Sequence, residues 1–317
     1  MKIMFPQGGY AMRRFHIILI LWAMLPLAGC SINPATGRNQ LILVSSKDIM
    51  AMGISAKPEL IEQYGGETDS TELRGYVRRV GLGLVEHVES VYIDLPWEFV
   101  VLESDQINAF ALPGGKVFIT IGLLSKLSSE GQLAGVLSHE IGHVTARHVD
   151  ERISHAMTVQ GLLSVLDASG QSGATVIVGG FVGSSYLLSF NRDQETEADG
   201  LGLTYLTRSY YDPYGMMEVL EILKEASGKN RSIEFFSTHP HPETRIKNVE
   251  ELLSGPFAST QNNPEYRMYK DRFQREATPY LPDSGQEQAR NQPIGSYCLV
   301  CVLRKPRIFT ASQVQTE

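Results

Sequence analysis

The chain has few cysteines, no block of like charge and no long uncharged apolar run. Three cysteines in 317 residues are too few for a fold held together by a disulfide framework. Polar residues interrupt the apolar stretches before they reach the roughly 18 residues that a membrane-spanning helix needs. With 35 acidic and 28 basic residues, the chain is not expected to bind nucleic acid. At 317 residues and with an apolar content of 43%, the chain is long enough for one sizeable core or for two subdomains.

The amino terminus reads as the signal peptide of a bacterial lipoprotein. Arg13 and Arg14 precede a short apolar segment, residues 15–25, which is too short for a usual spanning helix. Leu-Ala-Gly-Cys follows at 27–30 and matches three positions of a lipobox. In proteobacterial lipoproteins a residue such as Ser31 after the cysteine favours sorting to the outer membrane. We therefore expect a Gram-negative lipoprotein on the periplasmic side of that membrane.

Residues 1–29 are accordingly expected to be removed and Cys30 to carry the lipid. A plain secretory signal with an incidental cysteine is the alternative, and Met12 is an alternative start of translation. The two remaining cysteines, Cys298 and Cys301, form a lone Cys-x-x-Cys, which is weak evidence. They are compatible with a short-loop disulfide in an oxidising compartment, with a redox pair, or with neither.

A His-Glu-x-x-His pentapeptide occupies residues 139–143, inside a stretch, 131–149, whose apolar residues recur at helical spacing. Residues four apart on a helix share a face with Cβ atoms about 5–6 Å apart, so His139 and His143 can bind one zinc ion. Glu140 then lies beside the metal as a general base for bound water. Because two histidines can also sit on a solvated helix face, the context has to decide.

A catalytic zinc needs a third protein ligand and an open position for water. Ala146 and Val149 stand where the metzincin pattern requires glycine and histidine, which excludes that class. Downstream, residues 191–206 begin with acidic residues and continue as an apolar helical pattern, in which Glu195 and Asp199 share one face. A third ligand is therefore sought on this second helix.

The pairing of Glu195 with Asp199 suits one carboxylate that binds zinc and another that accepts a hydrogen bond from a ligand histidine. The alternative is that acidic residues in a first helical turn only complement the helix dipole. Taken together with the His-Glu-x-x-His helix, the metal site is the favoured interpretation. Glu197 is the competing ligand candidate, but it cannot share the face of Glu195.

Three motifs follow one another in the chain. They are His-Glu-x-x-His at 139–143, Glu-x-x-x-Asp at 195–199 and Ser-Thr-His-Pro-His-Pro-Glu-Thr-Arg-Ile at 237–246. In this order they resemble the gluzincin metalloendopeptidases related to HtpX and the CAAX prenyl proteases. The similarity is greater still to their soluble bacterial lipoprotein members and to the related mitochondrial inner-membrane protease. It runs from about Cys30 to about residue 253.

The resemblance implies an α+β zincin fold, mostly helical, with a small antiparallel sheet and the active site on the His-Glu-x-x-His helix. It also implies one Zn²⁺ per chain. His139, His143 and Glu195 would be the zinc ligands, Glu140 the catalytic base and Asp199 the carboxylate behind a ligand.

Residues 30–255 are expected to form the metalloprotease domain, and residues 256–317 a partly disordered extension without family motifs. The apolar spacing predicts a helix over 71–88, which is expected to pack on the zinc helix. The Gly- and Ser-rich segment 156–190 is expected to form packed or surface helices.

Residues 97–102 alternate like a strand, and 110–120 read as a hairpin with a type II turn at Leu-Pro-Gly-Gly, residues 112–115. In zincins the edge strand beside the active-site helix pairs with the substrate backbone, although an ordinary hairpin is the alternative. The substrate-binding residues expected on this basis are Asn108, Ala109 and Phe110.

His239 precedes Pro240, which biases it toward an extended loop or turn. In related lipoproteases the histidine of this Thr-His-Pro segment lies near the metal. There it would act in catalysis by donating to the oxyanion, a role worth about 10²–10³ in rate, or occupy the open zinc position and hold the enzyme latent. We therefore predict that His239 reaches the zinc and that its rival, His241, does not.

The sequence thus predicts a zinc-dependent metalloendopeptidase of the bacterial cell envelope that acts on protein or peptide substrates. The resemblance implies a role in quality control of misfolded or misassembled envelope proteins, with membrane contact through the amino-terminal lipid. The alternative is a lipid-anchored, chaperone-like binding protein with a latent or non-catalytic zinc site. The presence of Glu140 argues against a non-catalytic site, which has no need of a carboxylate there.

Overall fold

The computed structural model describes residues 30–166, 189–228, 233–240 and 242–282. The predicted signal peptide, His241 and the Cys298–Cys301 pair lie outside the described residues. So does the stretch 167–188 of the predicted Gly- and Ser-rich helices, whereas residues 156–166 are helical.

The described chain is mostly helical and carries two small sheets, which confirms the predicted α+β class. Its strands are β1 (Cys30–Ile32), β2 (Asn39–Leu41), β3 (Glu98–Leu102), β4 (Ala109–Leu112) and β5 (Lys116–Thr120). Its first helices are α1 (Ser46–Gln63), α2 (Thr71–Val85), α3 (Ser90–Ile93), α4 (Ile121–Leu124), α5 (Glu130–Thr145) and α6 (His148–Leu166). The later helices are α7 (Arg192–Arg208), α8 (Tyr214–Ser227), α9 (Glu234–Thr238), α10 (Pro242–Ser254) and α11 (Lys270–Glu276), with 3₁₀ turns at Ala258–Thr260 and Thr278–Tyr280.

The main sheet has the strand order β3-β5-β4, so β5 is central and β4 lies at an edge. β4 and β5 form the predicted antiparallel hairpin, and Gly114 at its turn has a φ of 79°, as the type II turn requires. β3 pairs parallel to β5, and here the expectation of an antiparallel sheet was wrong. Because β4 occupies one edge of β5, β3 pairs with the other edge. The connection through residues 103–108 carries the chain from the β3 side of the sheet to the side where β4 begins.

Both faces of this sheet are covered. The side chains of Val101, Ala109 and Val117 face the main core, where α2 and α5 pack. Phe110, Phe118 and other alternating residues face α1 in a second cluster. Burial on both faces explains why residues 99–102 are all apolar, although the pattern over 97–102 was interpreted as alternating.

The zinc-motif helix α5 lies at the centre of the fold. It begins after Ser129, whose side chain accepts a hydrogen bond from the backbone N–H of Gln132. It packs against α7, α8 and α2, as predicted for the helix that begins at Thr71. α5 and α7 come close because Gly142 has no side chain: a Cβ there would lie 2.8 Å from the carbonyl oxygen of Ala198. This close approach brings the acidic start of α7 onto the histidine face of α5.

Side chains of the amino-terminal segment cap the C-terminal end of α5. The Oδ1 atom of Asn33 accepts a hydrogen bond from the N–H of Ala35, and its Nδ2 donates to the carbonyl oxygen of Thr145. The Nε2 atom of Gln40 donates to the carbonyl oxygen of Ala146 at 2.7 Å. Carbonyl groups at the end of a helix lack partners within the helix, so these side chains complete it.

The chain after α10 packs on the same core. Arg272 forms an ion pair with the buried Glu130 at the start of α5, and the N–H of Gly131 donates to the carbonyl oxygen of Met268. The side chain of Phe273 is buried in the main cluster. Residues 256–282 of the predicted extension therefore pack on the core, and its remainder lies outside the described residues. None of the helices in the described part of the chain is long and apolar enough to cross a membrane.

Candidate metal centre

α5 presents two histidines on one buried face. The Nε2 atoms of His139 and His143 lie 3.0 Å apart, and neither residue is more than 3% exposed. Their spacing of four residues places the two rings on successive turns, as the sequence predicts. Two imidazole nitrogens that face each other this closely require a proton or a cation between them.

α7 supplies the first carboxylate. Asn191 caps this helix in a reciprocal capping box with Gln194, which places Glu195 in the first turn. The Oε1 atom of Glu195 lies 3.5 Å from Nε2 of His143, and its Oε2 atom lies 3.6 Å from Nε2 of His139. Glu195 is fully buried and faces both rings.

His239, the residue after α9, joins the same cluster. Its Nδ1 atom lies 3.1 Å from Oε1 of Glu195 and 3.2 Å from Nε2 of His139. Its Nε2 atom lies 3.4 Å from Oε1 of Glu140. The ligand atoms of His139, His143, Glu195 and His239 all lie within 4.8 Å of one another.

The donors of this cluster fit a zinc ion. Imidazole nitrogens and a carboxylate oxygen are the ligands that catalytic zinc sites use. Both oxygens of Glu140 and Nε2 of His239 are buried without a hydrogen-bond partner in the described structure. A buried polar atom without a partner costs about 1–3 kcal/mol, so several around one point indicate a site built for a cation.

Asp199 and Arg245 lie behind the cluster. The Oδ1 atom of Asp199 is 2.9 Å from Nδ1 of His139, the acceptor position expected from the sequence. Arg245 of α10 donates to both oxygens of Asp199, at 2.6 and 2.9 Å, and pairs with Oε2 of Glu195 at 2.9 Å. Sequence reasoning assigned no role to Arg245, although its place in the third motif was a signal for one.

Burial sets the charges of the centre. It raises the pKa of the Glu140 carboxyl despite nearby His239, and it lowers the pKa of the His143 imidazole well below its usual value. Burial opposes the charged form of Glu195, but His239 and Arg245 outweigh it and hold the pKa of Glu195 well below its usual value. A neutral imidazole and a charged carboxylate are the forms that bind zinc.

Two aromatic rings close the centre. The ring of Phe190 stacks on His143 with centroids 3.8 Å apart, and the ring of Phe235 stacks on His239 at 4.5 Å. The N–H of Phe190 donates to the carbonyl oxygen of Thr238, which joins the start of α7 to the end of α9. These contacts were not foreseen from the sequence, and they cover the metal-binding groups.

The predicted substrate-binding residues belong to or precede β4. Asn108 donates from Nδ2 to the hydroxyl of Tyr64 at 3.0 Å, and Phe110 stacks on Phe118 on the α1 face of the sheet. The side chain of Ala109 lies in the core that β4 shares with α5. All three residues are buried, so whatever they offer to another chain is on the backbone of the strand edge.

Glu197, the competing ligand candidate, points away from the four clustered side chains. It accepts hydrogen bonds from Nε and Nη2 of Arg38 at 2.9 and 3.1 Å. Its Oε2 atom also lies 3.0 Å from Nε2 of His148, the first residue of α6. His148 was not considered in the sequence analysis.

The chain is similar to known peptidases. The model of Peptidase family M48 matches residues 72–253. The chain is 39% identical over 184 residues to the Beta-barrel assembly-enhancing protease of Escherichia coli (strain K12). The matched region covers 55% of this chain and 37% of that protein. The chain is 34% identical over 229 residues to the Mitochondrial metalloendopeptidase OMA1 of Schizosaccharomyces pombe, which covers 69% of this chain and 65% of that protein. The chain thus spans less than two thirds of the length of these relatives.

Proposed function

Since this chain belongs to peptidase family M48, a family of zinc metalloproteases, we propose that it is a zinc-dependent endopeptidase acting on protein substrates. The observation that carries the proposal is the buried cluster of His139, His143 and Glu195, with the partnerless carboxylate of Glu140 beside it. When bound there, zinc would polarise the scissile carbonyl and lower the pKa of its water to about 7.

In this mechanism Glu140 is the general base. It takes a proton from the attacking water and passes it to the amine that leaves when the peptide bond breaks. A pKa raised by burial suits this role, because a carboxylate with a higher pKa is a stronger base toward the water proton. Asp199 and Arg245 keep Nδ1 of His139 paired, so that Nε2 of His139 stays directed at the metal.

His239 acts, in our proposal, as a latch on the same centre. Its Nδ1 atom approaches Glu195 and His139 as closely as a fourth ligand does, and its ring is fully buried under Phe235. Substrate and water therefore need α9 to move away before they reach Glu140. The other role considered for His239, donation to the oxyanion, requires the same opening.

The edge of β4 offers a substrate-binding surface once α9 has moved. The backbone N–H and carbonyl of Asn108 both point to Thr120 of β5, so by the period-two alternation those of Ala109 point to the open side. Phe235 of α9 donates its N–H to the carbonyl oxygen of Ile107 at the start of this edge. An extended substrate would replace that contact and pair with Ala109, which gives affinity without demanding a particular sequence.

We also propose that the substrates are misfolded or misassembled proteins of the bacterial envelope. One relative is named for enhancing β-barrel assembly, and the lipobox before Cys30 favours a lipid tether facing the periplasm. Cys30→Ala should then release the protein from membranes in fractionation. Unchanged sedimentation with membranes would contradict the lipid tether.

Degradation of an unfolded model protein by the purified soluble form tests the activity. Wild type is expected to be slow, and His239→Ala is expected to be faster by about tenfold or more, since a minor open state is typically populated at roughly 0.1–10%. Glu140→Gln and treatment with a chelator should abolish turnover in both backgrounds.

His239→Ala separates the roles of this residue. A fall in turnover with zinc retained would show that His239 donates to the oxyanion and does not hold the enzyme latent. If wild type and both variants are equally inert while an unfolded chain still binds, the chaperone-like alternative replaces the peptidase.

A further inference from the structure

A second histidine stands directly behind His143. The Nδ1 atom of His148 lies 2.8 Å from Nδ1 of His143, and both rings are fully buried. On its other side His148 presents Nε2 to Oε2 of Glu197 at 3.0 Å. Because Nε2 of His143 faces the metal-binding cluster, the Nδ1 contact is the remaining hydrogen bond that this imidazole makes.

The hydrogen positions follow from what each atom can do. If Nε2 of His143 keeps its lone pair for a metal, its Nδ1 carries the hydrogen and must donate. A carboxylate only accepts, so Glu197 requires a hydrogen on Nε2 of His148. A neutral His148 then has its lone pair on Nδ1, where His143 donates. A single arrangement therefore satisfies every contact.

We propose that His148 is a positioning residue that fixes the tautomer and ring orientation of the zinc ligand His143. Glu197 and Arg38 hold His148 in the accepting form, and we call these three residues the His148 relay. The inference rests on the zinc centre of the proposed function and does not depend on proteolysis.

Arg38 connects the His148 relay to α6 and to the amino-terminal segment. Its guanidinium binds Glu197 through Nε and Nη2, and it binds both oxygens of Glu151 on α6 at 2.8 and 2.9 Å. Arg38 lies between β1 and β2, in the segment that also fastens the end of α5 through Asn33 and Gln40. The amino-terminal segment is thereby connected to a zinc ligand through three side chains.

The alternative is a buried histidine that only completes the core. Such a residue would affect the melting temperature but neither the affinity for metal nor the geometry around it. Partners behind a ligand imidazole instead change metal affinity by about 10–100-fold when they are removed. Metal affinity, measured together with the melting temperature of the metal-free protein, therefore distinguishes the two roles.

The test compares the mature chain with four variants, each of which carries one substitution. His148→Leu removes the acceptor, whereas His148→Asn keeps an oxygen near the position of Nδ1. His155→Leu is the matched control, since His155 is an exposed residue of the same helix. Glu197→Ala removes the group that holds the tautomer. Zinc affinity is measured by competition with a chromogenic chelator, and the ligand geometry by the visible spectrum of the cobalt-substituted protein.

His148→Leu is expected to bind zinc about 10–100-fold more weakly and to shift the cobalt bands. His148→Asn should recover most of the affinity, and His155→Leu should equal wild type. Wild-type affinity and spectrum in His148→Leu would overturn the proposal, as would an asparagine variant no better than leucine.

If His148→Leu does not fold, Glu197→Ala decides the question. About threefold to tenfold weaker zinc binding supports the relay, and an unchanged affinity overturns it. Zinc binding that responds to these substitutions in a chain without peptidase activity would leave the relay standing and remove only the proposed function.

Discussion

The two histidines of the metal centre differ in how their outward nitrogen is held. His139 meets a carboxylate directly, because Asp199 lies 2.9 Å from its Nδ1 and is itself paired with Arg245. Both partners are at most 3% exposed. His143 contacts the ring of His148 instead, and the carboxylate, that of the partly exposed Glu197, lies on the far side of that ring.

Charge accounts for the difference. The buried centre already contains the carboxylates of Glu140, Glu195 and Asp199, against the guanidinium of Arg245. A bound Zn²⁺ supplies the two positive charges that balance this set. A fourth carboxylate in direct contact with His143 would be buried without a counter-charge, which costs several kcal/mol. Because the imidazole of His148 lies between His143 and Glu197, the fourth carboxylate is placed farther out, beside Arg38 and solvent.

Removal of the metal-binding carboxylate should have the largest effect on this comparison. Glu195→Ala takes away one of the three proposed ligands together with a balancing charge, so zinc should fall from about one per chain to almost none after dialysis. Glu140→Gln and Glu197→Ala, which change carboxylates outside the ligand set, should keep stoichiometric zinc. Metal analysis is the measurement, and Glu195→Ala that retains its zinc would refute the ligand assignment.

The two arginines should differ in their effect on stability. Arg245→Ala leaves the buried charges of Asp199 and Glu195 without their arginine partner, which should cost about 3–5 kcal/mol in the free energy of unfolding. Arg38→Ala breaks ion pairs in which the arginine side chain is 37% exposed, and it should cost less than about 1 kcal/mol. Urea unfolding of the metal-free proteins measures both, and equal losses would contradict the comparison.

At low pH the ion pairs of Arg38 should no longer stabilise the folded protein. Burial opposes the charged forms of Glu151 and Glu197, but it is outweighed and the pKa of both carboxyls lies below the ordinary 4.5. Arg38 donates hydrogen bonds to both carboxylates, and His148 donates a further one to Glu197. A lowered pKa gives stability that is present above 4.5 and is lost as the pH falls through the lowered value.

The difference in melting temperature between wild type and Arg38→Ala should therefore be constant near neutral pH and should shrink below pH 4.5. Thermal unfolding of the chelated proteins from pH 7 to pH 3 is the measurement. A difference that grows on acidification would show that the ion pairs are not its source.

Helical spacing made part of the centre readable in the sequence. His139 and His143 are four residues apart, as are Glu195 and Asp199, and the turn of an α-helix alone puts each pair on one face. The hairpin at Gly114 was readable for the same kind of reason, because Pro and Gly specify a turn locally. The family motifs then predicted that His239 belongs near this face.

Other features depended on contacts between residues far apart in the chain. The parallel pairing of β3 with β5 is set by which edge the hairpin leaves free, and a strand carries no mark of that choice. Phe190 and Phe235 close the centre because α7 and α9 meet at one hydrogen bond, although each reads as an ordinary apolar residue.

The sequence by itself determined the zinc-binding helix, the acidic face of α7 and the class of enzyme, since each of these depends on residues within one or two helical turns or on motif order. The tertiary structure alone decided what stands behind each ligand. Arg245 is 46 residues from Asp199, and Glu197 is 49 residues from His148 and 159 from Arg38. No local periodicity relates such distant positions, and only the packing of α6, α7, α10 and the turn between β1 and β2 brings their charges together.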